Sequence, residues 1–364
     1  ATMGIASLFM PAVMGIIADR WIPAQRLLGL CHLFAAGFIT LAATRTDYNS
    51  LYTLVLLSVM FYMPTIALSN SVAYNALEKA GLDTVTHFPP IRVWGTVGFI
   101  CAMWVVDLGK MGLSATQLYF SATLGLILGL YSFTLPNCPI NRSGGGKSIV
   151  DLLGLRAFAL FKQRKMAIFF IFSMLLGMSL QITNAFADGY IKSFGDTGIH
   201  GAKYLGTFGV EHSTILISLS QISETLCILL IPFFLKRFGI KRVMLIAMFA
   251  WVLRFALLGA GNPGPGVWMF ILSMIVYGVA FDFFNISGSL FVEKETSAAI
   301  RSSAQGVFMI MTNGLGALIG SYLAGWVVNH YGWPLSWYLF AGFSLVVAIV
   351  FAVIFKYKHD PNRI

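Results

Sequence analysis

Ser213-Thr-Ile-Leu-Ile-Ser-Leu-Ser-Gln221-Ile-Ser-Glu224-Thr-Leu-Cys-Ile-Leu-Leu-Ile-Pro232-Phe-Phe-Leu235 is long and apolar enough to cross a bilayer as one helix, yet it carries an acid near its middle. Insertion scales place an acid at a helix centre at about +2.5 to 3.5 kcal/mol, so such a residue faces a bundle interior or a wet cavity. Gln221 stands three residues before Glu224, which puts amide and carboxyl on one helical face. The pair reads either as part of a ligand or ion site or as a hydrogen-bonded tie between helices.

Working outward, the rest of the chain has the same character. Of its 364 residues 58% are hydrophobic and 10% charged, where soluble domains carry about 25% charge. This composition predicts an all-α polytopic membrane protein in contact with lipid. Apolar runs of spanning length are centred near Pro11, Ala35, Phe61, Ile100, Leu126, Leu175, Leu226, Phe249, Tyr277, Gly316 and Val346, which makes eleven. The chain opens on Ala1 inside an apolar run, so one preceding helix is expected to be missing, with twelve in the intact protein.

The formal charge of +10 follows from topology and does not point to nucleic acid. When alternate loops are assigned to two sides, nineteen basic residues fall on one side. Arg45, Lys110, Lys192 and Lys203 fall on the other, and Arg254 stays inside a helix. The positive-inside rule makes the first side cytoplasmic, together with the C-terminus. Cys31, Cys101, Cys138 and Cys227 have no C-x-x-C spacing, so neither a disulfide framework nor a metal site is expected. No Gly-rich phosphate loop is present, which argues against an ATP-driven pump. No nucleophile stands at a suitable spacing from a base, so His32, Glu224 and Asp282 do not suggest an enzyme, and no cofactor is implied.

Two loops repeat. Gly15-Ile-Ile-Ala-Asp19-Arg20, followed by Arg26, resembles a degenerate form of the cytoplasmic loop signature of the major facilitator superfamily. Pro232-Phe-Phe-Leu-Lys236-Arg237-Phe238-Gly-Ile-Lys241-Arg242 lies 217 residues later, with Arg237 matching Arg20 and Phe238 matching Trp21. This is the pattern of two homologous halves. The expected organisation is an N-terminal helical half over 1–135, a cytoplasmic linker over 136–165 and a six-helix C-terminal half over 166–364. The linker holds Gly144-Gly145-Gly146, and its part from Ile149 to Phe161 reads as a helix on the membrane surface or as a plain connector.

Polar residues inside the spans group by face. Phe88-Pro89-Pro90-Ile-Arg92-Val-Trp94-Gly-Thr96-Val-Gly-Phe99 predicts a helix started by two prolines, with Arg92, Thr96 and Phe99 on one face. Gln181 and Asn184 form a second pair at i, i+3, and Tyr277-Gly-Val-Ala-Phe281-Asp282-Phe283-Phe284-Asn285 carries a second acid among aromatics. Asn70, Asn75, Gln305 and Asn313 read as helix-to-helix hydrogen bonders, and Arg254 as a partner for a buried acid or a charge near a helix end.

These stretches, with Ala167 to Leu176 and Phe291-Val-Glu293-Lys294-Glu295, closely resemble the bacterial nucleoside:proton symporters of the major facilitator superfamily, the group of the nucleoside and xanthosine permeases. The resemblance covers essentially the whole chain. It implies two six-helix halves, here with the first helix absent, in a monomer of the bacterial inner membrane that imports purine and pyrimidine nucleosides with protons. The positions it implies for the substrate cavity are Arg92, Thr96, Phe99, Gln181, Asn184, Gln221, Glu224, Tyr277, Phe281 and Asp282. Phe186-Ala187-Asp188 departs from the family's usual Phe-Gly-Asn, and Met63-Pro-Thr-Ile-Ala-Leu-Ser-Asn70 looks closer to the xanthosine branch.

The residue types agree with that expectation. A nucleoside offers a flat base and vicinal sugar hydroxyls, so its site needs aromatic faces with donors and acceptors at two ends. Gln181/Asn184 and Gln221/Glu224 suit the hydroxyls, and Phe99, Tyr277 and Phe281 suit the base. Of the two acids, Asp282 is flanked by Phe281, Phe283 and Phe284 and is the better proton carrier, because desolvation disfavours a charged carboxylate. Glu224 is the alternative carrier. A symporter for sugars or another neutral solute would use the same carboxyl and amides, and a non-transporting nucleoside sensor would bind without moving its ligand.

Overall fold

The computed structural model describes residues 2–82, 84–112, 114–140, 155–196, 202–296 and 301–357. Among them every regular element is helical, and each of the eleven expected centres falls in a helical segment. The first five helices are α1 (Thr2–Arg20), α2 (Ala24–Ala43), α3 (Tyr48–Lys79), α4 (Thr84–Leu108) and α5 (Thr116–Ser132). After the linker come α6 (Arg164–Ser193), α7 (Ser213–Ala260), α8 (Val267–Glu295), α9 (Arg301–Met309), α10 (Ala317–Tyr331) and α11 (Trp333–Ile354). A π-helical segment, Ile310–Gly316, joins α9 to α10. Among the described residues, seven helices are long and apolar enough to span a membrane.

α7 contains two of the expected spans. Its 48 residues would measure about 72 Å if straight, more than twice a hydrocarbon core. Gly239, at φ 76° and ψ 166°, breaks it into arms 213–238 and 240–260. That left-handed φ is open to glycine without a Cβ penalty, and it follows Lys236-Arg237-Phe238, where the repeated loop signature places its turn.

One expectation changes. The prolines at 89 and 90 do not start α4, which begins at Thr84 and carries them in its second turn. A membrane helix tolerates this where neighbouring groups take up the freed carbonyls. In the linker, Leu155–Lys162 forms a 3₁₀ helix, and 149–154 lie outside the described residues.

The chain divides into two compact units. The first comprises Ala1–Gly98 and Gly109–Arg156 and the second Phe99–Leu108 and Ala157–Ile364, so α4 contributes to both. In the first unit α2 packs on α5 through glycines: a Cβ on Gly29 would lie 2.9 Å from the Gly129 carbonyl oxygen. Gln25 and Lys79 tie the chain after α5 back to α2 and α3 through the side chain and carbonyl of Asn137. At the start of α3, Asp47 accepts from the Ser50 amide at 2.8 Å, and the Ser50 hydrogen bonds hold its carboxyl below the usual carboxylate range.

The second unit is closer packed. α6 meets the π segment and α10 almost backbone to backbone. A Cβ on Gly177 would collide with the Thr312 carbonyl, and one on Gly320 would sit 2.8 Å from the Met178 Cα. Lipid tails are as apolar as side chains, so close approach at small residues supplies much of the cohesion of a membrane bundle. One end of the unit is fastened by Lys165, which pairs with Glu295 at 2.6 Å and lies over the Tyr357 ring at 4.7 Å. Toward the other end, Asp188 accepts from Lys192 and from the Ser213 hydroxyl, both at 2.6 Å, which fixes the departure at 186–188 between α6 and α7.

Candidate functional site

The close approach of α7 and α8 creates the site, and Gly278 permits it. A Cβ there would lie 2.6 Å from the Ser223 carbonyl oxygen and 2.7 Å from Cys227 Sγ, so only glycine lets the two helices sit this near. The Ser223 hydroxyl donates to the Ile275 carbonyl and locks the register. Glu224, next in sequence, then lies in the electrostatic field of both Tyr277 and Asp282. The two acids picked from the sequence therefore share one locus, although 58 positions separate them.

Tyr277 is the hub of that locus. Its ring stacks on Phe281 with centroids 5.8 Å apart and planes 20° apart, and the edge of Trp251 meets it at 6.1 Å. On α8 these residues are i and i+4, which brings their rings onto one face. Asp282 is 3% exposed, and its Oδ2 has no hydrogen-bond partner among the described residues. A buried polar atom of that kind marks a place where a proton or a ligand has a function.

On α6, Gln181 is half-buried and Asn184 is exposed; on α7, Gln221 and Glu224 are half-buried. Phe99 is 54% exposed on the part of α4 that belongs to the second unit. Thr96 is half-buried and Arg92 is helical on the part of α4 in the first unit, and the Arg92 side chain lies outside the described residues.

A narrow cavity in the second unit adds residues that the sequence reading assigned elsewhere or missed. Leu180, Trp251, Phe281, Phe284, Asn285 and Asn313 line it. Asn285 also opens on a neighbouring cavity with Ser289 and Gln305, where Gln305 Nε2 donates to the Ser289 carbonyl at 2.7 Å. Gln305 is thus a helix-to-helix hydrogen bonder, as expected. Asn313 is not: its described contact is a weak one to Met309 Sδ in its own helical run, and it faces the cavity. Asn75 bonds its own helix, at the Ser71 carbonyl. The missed signal was the spacing of Asn285, three residues after Asp282 and four after Phe281. The π turn carrying Asn313 has no single-residue signature, and such turns gather at functional sites.

Arg254 also departs from expectation. It pairs with no acid among the described residues. Its guanidinium lies 4.7 Å over the Tyr277 ring, donates to the Ser273 carbonyl and reaches the Thr183 hydroxyl at 3.5 Å.

A bundle of membrane-spanning helices with a buried acid among aromatic rings has the make-up of a secondary transporter. Its fold is shared at low identity by a peptide transporter of the POT group, at 15% identity and TM-score 0.70 over 96% of this chain and 83% of that one. The chain belongs to the nucleoside H+ symporter family, whose model matches residues 1–360. It is 51% identical to the nucleoside permease NupG of Escherichia coli K12 over 99% of this chain and 87% of the relative. It is 50% identical to the xanthosine permease of the same organism over all of this chain and 88% of the relative. The crystal structure of NupG superposes with TM-score 0.89 at 51% identity, covering 98% of this chain and 89% of that one. The chain is accordingly a multi-pass transporter and not an enzyme.

Proposed function

We propose that this protein imports nucleosides with protons by alternating access, and that the α6–α7–α8 locus of the second unit forms the larger part of the nucleoside site. Family membership over nearly the whole chain supports the activity. The convergence of Glu224, Tyr277, Phe281 and Asp282 supports the site. Gln181, Asn184, Gln221 and Glu224 hold the sugar hydroxyls. Phe281 and Tyr277 stack the base with Phe99; Arg92 and Thr96 are further candidate substrate contacts on α4, and Asp282 carries the proton. Purine and pyrimidine nucleosides are the substrates, xanthosine among them, and the protein works as a monomer in the bacterial inner membrane.

The test is uptake of labelled uridine into vesicles under an imposed pH gradient. Unlabelled purine nucleosides should compete and hexoses should not; the reverse pattern would sink the nucleoside assignment. In the same protein, Phe281→Ala removes a stacking face, and stacking on a base contributes about 1 to 3 kcal/mol, so Kd for uridine should rise roughly 5- to 150-fold with unchanged expression. Wild-type affinity in that variant would remove Phe281 from the site.

The charge bias supports a cytoplasmic linker and C-terminus. In a cysteine-free background, Thr46→Cys should react with an impermeant thiol reagent in spheroplasts and Lys162→Cys should not. Both residues are exposed, so the opposite pattern would invert the orientation.

A further inference from the structure

Arg254 is the largest ionisable side chain buried in the second unit, at 1% exposure, and it lies in a membrane-spanning arm. A cation there carries a desolvation penalty, and such residues normally pair with an acid or serve a function. No ion pair among the described residues includes Arg254. Its charge is met instead by a carbonyl, a hydroxyl and the face of an aromatic ring. These come from two helices: Thr183 on α6, and Ser273 and Tyr277 on α8. The Ser273 hydroxyl returns a bond to the Arg254 carbonyl at 3.1 Å, so the second arm of α7 and α8 are stitched in both directions.

The ring beneath the guanidinium is the one that stacks on Phe281. Trp251, three residues before Arg254 and therefore one turn away, meets the same ring in a T-shaped contact. Tyr277 thus has a cation over its ring, an indole in T-shaped contact and Phe281 stacked with it. A tyrosine ring rotates about two side-chain bonds, and each of these contacts removes part of that freedom. A desolvated cation over a ring is the strongest of the three.

We propose that Arg254 is a positioning residue for nucleoside binding: its guanidinium, anchored to Ser273 and Thr183, fixes the Tyr277 ring and through it the stacking face of Phe281. It touches no substrate. The proposal rests on the placement of the base against Tyr277 and Phe281 given above, and it explains why a charged side chain is kept in a position where a methionine would fill the space without a desolvation penalty.

The test is a double-mutant cycle on uridine affinity, measured by calorimetry on purified full-length protein together with its melting temperature. Arg254→Met should raise Kd at least about tenfold, and adding it to Tyr277→Leu should change Kd less than about twofold, because the ring it positions is gone. Arg254→Lys keeps a cation but loses the planar fork that bonds Ser273 while covering the ring. It should weaken uridine binding by an intermediate factor, which again vanishes in the Tyr277→Leu background. A residue that merely holds the bundle together would lower the melting temperature equally in both backgrounds and give additive effects on Kd. Additive effects, or wild-type affinity in folded Arg254→Met, would overturn the proposal. Should Arg254→Met fail to fold, the Arg254→Lys cycle decides on the same criterion. Phe281→Ala separates the two readings. If it binds uridine like the wild type, the stacking site itself is wrong; if it weakens binding while the Arg254 cycles stay additive, only the positioning role is lost.

Discussion

Glu224→Ala should reduce uridine binding at least 100-fold, to below detection in calorimetry, while the protein still inserts and elutes as a monodisperse peak. The expected size comes from two losses that occur together. Hydrogen bonds from neutral donors to a charged acceptor are each worth about 1.5 to 3 kcal/mol, and a carboxylate accepts two from vicinal sugar hydroxyls. Stability should suffer little, because the α7–α8 contact is carried by Gly278 against Ser223 and by the Ser223 hydroxyl, both independent of the Glu224 side chain. A variant that binds uridine within tenfold of the wild type would show that the sugar is held elsewhere, with the amides of Gln181 and Asn184 as the next candidates.

How far the chain could be read before its structure was known follows the range of the interactions involved. Spans are set by local hydropathy, so all eleven centres were visible. The acids stood out because an ionisable residue inside an apolar run needs no tertiary information to be noticed. Their convergence was not visible: Glu224 and Asp282 meet because Gly278 removes a Cβ from the α7–α8 contact, and one glycine among 36 carries no label for that duty. Arg254 was misassigned for a related reason. Sequence suggests that a buried cation wants a carboxylate, whereas the fold supplies a ring face, a carbonyl and a hydroxyl from two helices. Asn313 was read as a tie between helices because a π turn, which re-aims one side chain within a helix, depends on packing of Thr312 and Gly316 against Gly177 and Met174 of α6. The prolines of α4 misled in the opposite direction, since a rule suited to water-exposed helix starts does not bind where neighbours take up freed carbonyls.

The two acids then divide the work, and Asp282→Asn should separate binding from energy coupling. The variant should exchange nucleoside across the membrane at near wild-type affinity yet fail to accumulate it under a pH gradient. One proton crossing a 100 mV potential supplies about 2.3 kcal/mol, which sustains roughly 50-fold accumulation of a neutral solute, and the variant should fall to a ratio near one. Asp282 suits this role because it is almost wholly buried, with Phe283 and Phe284 buried beside it, and its Oδ2 lacks a partner among the described residues. Among the described residues no ion pair includes Asp282. Glu224 is half-buried on α7 and keeps the proposed role of sugar acceptor. Asparagine copies the shape and the donor of a protonated aspartate but releases no proton, so it holds the carrier in its loaded form and leaves downhill exchange open. Counterflow of labelled uridine against unlabelled uridine measures the first activity, and gradient-driven uptake in the same vesicles measures the second. If the variant still concentrates uridine, the coupling proton rides on Glu224, and the sugar-binding role given to that residue must then be shared with the amides.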